Sequence, residues 1–342
     1  MAMGATRLGA VGDLALQRGG TLRDAVLAYA TYGRLAPGGR NAVLLTHGYT
    51  SSHLFADGGP AASEGSWGAL VGPGRAIDTD RYFVVSSNML GSSYGSTAPR
   101  SIDKATGQPY GPDFPAITLP DMVTAQRRLL DGLGVKELVA VVGPSYGGFQ
   151  AFAWGVAYPE FMRGLVPVVS APKPRSDLDL DALRQRLASD PNWNGGRYYA
   201  TGGIAGTMAA LREETLRRYG IEAELGKRIP DRAARDAEIA RIARAWAEAF
   251  DGHSLLVLGE AMRGFDATPE LARIRARVLY VLSRTDTLFP PSLAPGVMAA
   301  LKQAGVDARY HELDSPHGHL ASGTDALRWA PALRRFMDEL GG

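Results

Sequence analysis

Five short apolar runs, separated by stretches with helical periodicity, are the feature that most limits the fold of this chain. The runs consist mainly of Val and Leu and lack the polar alternation of a strand that has one face in water. Such runs are typical of strands buried on both faces, so their alternation with helices predicts an α/β fold with a mostly parallel, doubly wound sheet. The runs are N-A-V-L-L-T-H (41–47), R-Y-F-V-V-S-S (81–87), E-L-V-A-V-V-G (137–143), L-V-P-V-V-S (165–170) and R-V-L-Y-V-L-S (277–283).

Two segments depart from this alternation. Near the N-terminus, D-L-A-L-Q-R-G-G-T-L precedes A-V-L-A-Y-A-T-Y, and the Gly-Gly pair predicts an antiparallel hairpin at one edge of the sheet. Between 174 and 265 the Val/Leu runs stop, and apolar residues recur at helical spacing instead. We therefore predict a helical lid, 174–265, inserted between the two parts of the α/β core, 1–173 and 266–342.

Composition excludes several classes of partner and site. The 342 residues include 37 basic and 35 acidic side chains, a net charge of +2, which gives no surplus field for binding nucleic acid or an anionic membrane. The absence of cysteine excludes disulfides, thiolate metal ligands and a cysteine nucleophile. Because no apolar run approaches about 20 residues and the N-terminus lacks a signal-peptide block, we expect a soluble, cytoplasmic protein that acts on small molecules.

The pattern G-x-S-x-G occurs twice; in a nucleophile elbow it marks a sharp strand-to-helix turn that exposes a serine hydroxyl. G-P-S-Y-G (143–147) follows a β-type run and precedes apolar residues at helical spacing. G-S-S-Y-G (91–95) is instead followed by S-T-A-P-R, which opposes a helix. The candidate nucleophile is therefore Ser145, and Ser93 is predicted to be a loop residue.

A serine nucleophile needs a base, and the base needs an acid that orients it; in this architecture the chain order is serine, acid, histidine. Asp286 follows the last apolar run, at a strand end where sites in such sheets form, although capping a turn is its alternative role. Asp314 is the alternative acid. The oxyanion hole needs two backbone N–H groups, which we expect from Tyr49 and Tyr146. His47, at a strand end, is predicted to be structural.

With these residues the chain resembles the homoserine O-acetyltransferases of the α/β-hydrolase superfamily. Members of that family form an acyl-serine from acetyl-CoA and pass the acyl group to homoserine. The resemblance implies the α/β-hydrolase fold and a triad of Ser145, Asp286 and His319, since the family pattern S-x-x-G-H falls on 315–319 and leaves His317 as a neighbour. The matching stretches are 92–126, G-P-S-Y-G-G-F-Q-A-F-A-W (143–154), D-P-N-W-N-G-G-R-Y-Y (190–199) and D-T-L-F-P-P (286–291).

Two positions depart from the family pattern. The aspartate that follows the family's histidine and pairs with the substrate ammonium is Leu320 here, and the lid arginine that pairs with the substrate carboxylate falls on Met208. Arg212 lies one turn further on, and whether it replaces that arginine is left open. Removing one member of a buried ion pair costs about 3–5 kcal/mol, so homoserine should be disfavoured at least about a hundredfold. We expect Leu320, Met208 and Phe149 to contact a less polar substrate.

The sequence therefore favours a serine acyl-transfer enzyme that works through an acyl-enzyme. Its predicted reaction is hydrolysis of small acyl esters or thioesters, or acylation of a less polar alcohol. A homoserine O-acetyltransferase and a non-catalytic binding protein with a hydrolase fold are the alternatives. No cofactor and no metal are predicted, since the triad accounts for the His and Asp residues and no H-E-x-x-H spacing occurs. Acetyl-CoA is implied as acyl donor by the resemblance alone, and a homodimer is left open.

Overall fold

The computed structural model describes residues 4–57, 65–175 and 179–341, which form a central sheet of eight strands covered by helices on both faces. The strand order is β1-β2-β4-β3-β5-β6-β7-β8, and all pairs from β4 to β8 are parallel. The strands are β1 (Arg7–Ala15), β2 (Thr21–Tyr32), β3 (Ala42–Thr46), β4 (Phe83–Ser87), β5 (Leu138–Pro144), β6 (Met162–Val168), β7 (Arg277–Ser283) and β8 (Ala308–Leu313).

This arrangement confirms the predicted mostly parallel α/β-hydrolase sheet. The predicted hairpin forms β1 and β2, which pair antiparallel at one edge, and β2 is also antiparallel to β4. Strands β3 and β5 are buried along their whole length, as their Val- and Leu-rich runs require. The sequence analysis missed β8, the opposite edge strand, because A-R-Y-H-E-L alternates polar and apolar residues and is largely part-exposed.

Ten α-helices occur within the described residues. The core helices include α1 and α2, whereas α3 to α7 lie between β6 and β7, where the sequence predicted the lid; the exact limits of that lid stay a prediction, and its residues 176–178 are outside the described part. The helices are α1 (Leu119–Gly132), α2 (Tyr146–Ala157), α3 (Leu180–Ala188), α4 (Ala205–Tyr219), α5 (Ile221–Gly226), α6 (Arg232–Ala249), α7 (Gly252–Arg263), α8 (Ala294–Gln303), α9 (Ala321–Thr324) and α10 (Ala326–Gly341).

Two of the inserted helices, α3 and α6, begin at an aspartate that caps the helix. The Asp179 carboxylate accepts a hydrogen bond from the Ala182 N–H at the start of α3, and the Asp231 carboxylate does the same for Ala234 at the start of α6. Across 4–57, 65–175 and 179–341, no helix has both the length and the apolar character needed to cross a bilayer.

Candidate active site

Ser145 lies at the sharp turn between β5 and α2. Its backbone has φ 54° and ψ −118°, a strained conformation for a residue with a side chain, and its N–H donates to the Val168 carbonyl at 2.8 Å. The glycines of the motif are needed for close packing: a Cβ on Gly143 would lie 2.1 Å from Thr46 Oγ1, and one on Gly147 2.5 Å from the Thr46 carbonyl oxygen. The G-P-S-Y-G segment therefore forms the strand–turn–helix geometry that the motif requires.

Asp286 and His319 form a buried acid–base pair. Asp286 follows the C-terminal end of β7, His319 lies in the loop after β8, and His319 Nδ1 is 2.8 Å from Asp286 Oδ2. Both side chains are at most 2% exposed. Since Nδ1 faces the carboxylate, that nitrogen carries the shared proton, and Nε2 is left as the nitrogen that can accept a proton.

The environment of Asp286 keeps its carboxyl group ionised. Burial alone would raise its pKa, but the charge and hydrogen bond of His319 and the N–H groups of Leu288 and Phe289 lower the pKa below the ordinary value. The alternative acid, Asp314, is exposed and pairs with Arg284 at 2.9 Å. Asp286 is therefore the carboxylate that the fold brings to His319.

His317, the other histidine of the pair in the sequence, has different partners. Its Nδ1 is 2.9 Å from Asp325 Oδ2, and the same carboxylate oxygen accepts a hydrogen bond from Ser315 Oγ at 2.6 Å. The His317 side chain is fully buried. These contacts hold the loop that carries His319, and the Thr285 hydroxyl, which donates to the Ser315 carbonyl at 2.8 Å, ties that loop to the loop of Asp286.

Tyr49 and Tyr146, the predicted sources of the oxyanion N–H groups, lie side by side. Tyr49 follows β3 in the H-G-Y-T loop and Tyr146 is the first residue of α2. Their rings stack with centroids 5.8 Å apart and planes 10° apart. His47 is buried, with Nε2 2.9 Å from Asn88 Oδ1, which places it in the loop framework.

A cavity of about 510 Å³ opens between the core and the inserted helices. Its wall includes Ser145, Tyr49, Tyr146 and Phe149. Two further wall residues, Tyr219 and Phe289, contact the His319 ring with centroid distances of 4.9 and 5.8 Å. His319 therefore lies directly behind the wall of the cavity that Ser145 faces.

Of the three residues predicted to contact substrate, only Phe149 lies on the wall of the cavity. Phe149 lines the cavity, but Met208 does not; its buried side chain lies close to Gly252 at the start of α7. Leu320 is 4% exposed and does not line the cavity either. It packs against the inserted helices instead, in an apolar cluster with Leu216, Tyr219, Ile221, Leu225, Ile239 and Ala243.

Arg212 is the cavity residue that sequence reasoning left undecided. Its side chain is 1% exposed, its guanidinium donates to Thr50 Oγ1 at 2.7 Å, and its central carbon lies 5.1 Å from the Trp246 ring centroid. Arg212 lies four residues after Met208 and therefore on the same face of α4. One turn apart along this face, Arg212 reaches the cavity, whereas Met208 packs near Gly252.

Comparison with known proteins identifies the family of this chain. A family model for the α/β-hydrolase fold matches residues 41–326. A homoserine O-acetyltransferase of Symbiobacterium thermophilum is 39% identical over 96% of this chain and 92% of its own length, and a homoserine O-succinyltransferase of Methylibium petroleiphilum is 36% identical over 95% and 91%. The chain belongs to the homoserine O-acetyltransferase family of the α/β-hydrolase superfamily.

Solved structures of similar proteins include both transferases and esterases. Esterase E22 superposes with a TM-score of 0.86 at 28% identity, covering 98% of this chain and 100% of its own. The homoserine O-acetyltransferase of Bacillus anthracis superposes with a TM-score of 0.87 at 24% identity, covering 99% and 98%, and supports the fold. Membership of this family makes the chain an acyl-transfer enzyme with the α/β-hydrolase fold.

Proposed function

We propose that this protein is an O-acyltransferase that carries its acyl group on Ser145. The acceptor is homoserine or a closely related hydroxy acid whose carboxylate is bound by Arg212. The observation that carries the proposal is the combination of Ser145 and a buried arginine on the wall of one cavity, with the Asp286–His319 pair directly behind it. The homoserine acyltransferases among the relatives support the same acceptor class.

The reaction would proceed in two half-reactions. In the first, the Ser145 hydroxyl attacks the carbonyl of an acyl thioester such as acetyl-CoA, its proton passes to His319 Nε2, and the oxyanion accepts hydrogen bonds from the N–H groups of Tyr49 and Tyr146. The thiolate then leaves with the proton from His319. In the second, the acceptor hydroxyl gives its proton to His319 and attacks the acyl-serine, and His319 returns the proton to Ser145.

Arg212 supplies the electrostatic preference of the cavity. A guanidinium that is 1% exposed binds a carboxylate more strongly than it would in water, because the surrounding protein screens the charges less. Its hydrogen bond to Thr50 fixes its direction. A substrate that brings a carboxylate to this wall is therefore favoured over a neutral alcohol of the same size.

Ester hydrolysis is the second candidate, and one observation favours it. Leu320 occupies the position after the base, where the resembled family has an aspartate for the substrate ammonium, and water as acceptor needs no such partner. The similarity to esterase E22 points in the same direction. The two candidates share the acyl-enzyme and differ in the group that removes the acyl chain from it.

The test is to measure how the acyl-enzyme partitions. Wild-type protein is incubated with acetyl-CoA over a series of homoserine concentrations, and O-acetylhomoserine and free acetate are quantified by mass spectrometry. A product ratio that rises with homoserine supports the transferase, whereas acetate alone at saturating homoserine supports the hydrolase. Ser145→Ala should abolish both products.

Arg212→Met provides the matching structural test. Loss of hydrogen bonds to a charged group should lower kcat/KM for homoserine by about 10- to 100-fold. Hydrolysis of p-nitrophenyl acetate, which has no carboxylate, should change little. Arg186→Met is the control, because Arg186 also lines the cavity but is half-exposed and pairs with Glu214. Equal effects of both variants would contradict a specific role for Arg212.

A further inference from the structure

The side chains of Tyr49 and Tyr146 contact the same inserted helix. The Tyr49 hydroxyl donates to the Leu255 carbonyl, and the Tyr146 hydroxyl donates to the Leu258 carbonyl at 3.0 Å. Both acceptors belong to α7, and residues three apart lie on one helix face. The two loops expected to form the oxyanion hole are thus hydrogen-bonded to neighbouring positions of a single element.

Both contacts are made by neutral hydroxyl groups. Burial raises the pKa of the Tyr49 and Tyr146 phenols above their ordinary value, so each remains a donor throughout the physiological range. A helix carbonyl has a second lone pair beyond the one used within the helix, so it can accept such a bond without loss of helical structure.

A buried polar cluster fixes the N-terminus of α7. The residue before the helix, Asp251, is 1% exposed, and its carboxylate accepts hydrogen bonds from the hydroxyls of Tyr198 and Tyr199. Its own N–H donates to Ser93 Oγ at 2.9 Å. The serine of the second G-x-S-x-G segment therefore helps to hold α7, which explains a residue that the proposed chemistry does not use.

The contacts of Ser93 lead back to the loop of Tyr49. The Asn88 side-chain amide donates to the Ser93 carbonyl at 2.6 Å, and Asn88 Oδ1 lies 2.9 Å from His47 Nε2. His47 is two residues before Tyr49, and its Nδ1 lies 2.8 Å from the Gly48 carbonyl oxygen. Hydrogen bonds thus connect α7 to this loop at two places, through Tyr49 and through the Ser93–Asn88–His47 path.

We propose that Tyr49 and Tyr146 are positioning residues whose hydroxyl contacts with α7 set the spacing of the two oxyanion N–H groups. The inference rests on the proposed function, because it assumes that these N–H groups stabilise an oxyanion on a substrate bound to Ser145. Donors must lie about 2.7–3.1 Å from the developing oxyanion to be effective. The inserted helices then do more than cover the cavity: α7 is part of the framework that shapes the transition-state site.

The test compares three tyrosine variants in the full chain. Tyr49→Phe and Tyr146→Phe keep the rings and remove the hydroxyls. Tyr82→Phe is the matched control, since its buried hydroxyl also donates to a helix carbonyl, that of Met337 in α10 at 3.1 Å, and Tyr82 belongs to the core layer on the other side of the sheet. For each, kcat and KM with p-nitrophenyl acetate and the affinity for an arylboronic acid, which forms a tetrahedral serine adduct, are measured.

We expect each site variant to lower kcat by about tenfold, less than the about 10²–10³ for deletion of an oxyanion donor, with KM within about twofold. Boronic acid affinity should fall in parallel, while Tyr82→Phe changes neither. Values of kcat and affinity within about twofold of wild type in both site variants would overturn the proposal. If Tyr146→Phe fails to fold, Ser93→Ala takes its place, because it removes the hydrogen bond to the Asp251 N–H at the start of α7 and should likewise lower kcat and boronic acid affinity.

The proposed function is checked in the same samples by intact-mass detection of the acyl-enzyme. An acylated wild type with insensitive tyrosine variants would overturn only the positioning role. A wild type that forms no adduct at Ser145 would overturn the proposed function and this inference with it.

Discussion

Two histidine–aspartate pairs with buried imidazole rings lie close together in the C-terminal part of the chain, and they differ in where the aspartate comes from. His319 binds Asp286, which is 33 residues away at the end of β7, and its ring contacts two cavity residues. His317 binds Asp325, only eight residues away, and shares that carboxylate with Ser315. The distances, 2.8 and 2.9 Å, are nearly equal. A short His–Asp contact with a buried ring is therefore not evidence of catalysis; the position of the pair relative to the cavity is what separates the two.

The largest expected effect follows directly from this comparison. His319→Gln should lower kcat by about 10⁵–10⁶, because Ser145 would have no base, whereas His317→Gln should keep kcat within about threefold. Steady-state hydrolysis of p-nitrophenyl acetate measures both. The opposite ranking of the two variants would show that His317 is the base.

Replacement of Asp286 should likewise lower kcat far more than replacement of Asp325, but by a smaller factor than replacement of His319. Asp286→Asn should lower kcat by about 10⁴, since the imidazole would lose the group that fixes its tautomer. Asp325→Asn should leave kcat nearly unchanged and act on stability instead. Comparison of kcat with the midpoint of thermal unfolding for both variants tests this, and a loss of kcat in Asp325→Asn as large as in Asp286→Asn would contradict it.

The same comparison shows which parts of the site are readable from sequence. The elbow is local, because Gly143, Ser145 and Gly147 carry both the backbone strain and the close packing within one turn. The expected proximity of Asp286 and His319 is present, since each follows a strand of one parallel sheet and such strands end at the same edge. Their catalytic roles stay predictions that the variants above test.

The contacts that the inserted helices make with the core could not be derived from the sequence. Met208 and Arg212 share a helix face in the sequence, and only the packing of α4 on the core decides which of them reaches the cavity. Leu320 follows His319 directly, but the turn at Gly318–Leu320 directs its side chain into the apolar cluster of the inserted helices. Side-chain direction in such places depends on tertiary contacts that no local pattern encodes.

His317→Gln, which should hardly change kcat, should lower the stability of the fold. Its imidazole is fully buried and hydrogen-bonded to Asp325, so its replacement should lower the free energy of unfolding by about 1–3 kcal/mol. Urea unfolding followed by circular dichroism measures the loss. A stability equal to that of the wild type would show that Ser315 alone is sufficient to hold this loop.

The smallest expected effect is on stability in acid. The folded-state pKa of Asp286 is below 3.8, its ordinary value, because the charge and hydrogen bond of His319 and two backbone N–H groups outweigh the effect of burial. An unfolded chain therefore binds a proton at this carboxylate before the folded one does, so the stabilisation is complete above about pH 4 and is lost as the pH falls through the lower folded-state pKa.

The variant Asp286→Asn has no carboxyl group to titrate at this position. The difference in unfolding free energy between wild type and Asp286→Asn should consequently shrink between about pH 5 and pH 2, measured by urea unfolding at each pH. A difference that stays constant over this range would mean that Asp286 has the same pKa in both states, and would contradict the net lowering by His319 and the two N–H groups.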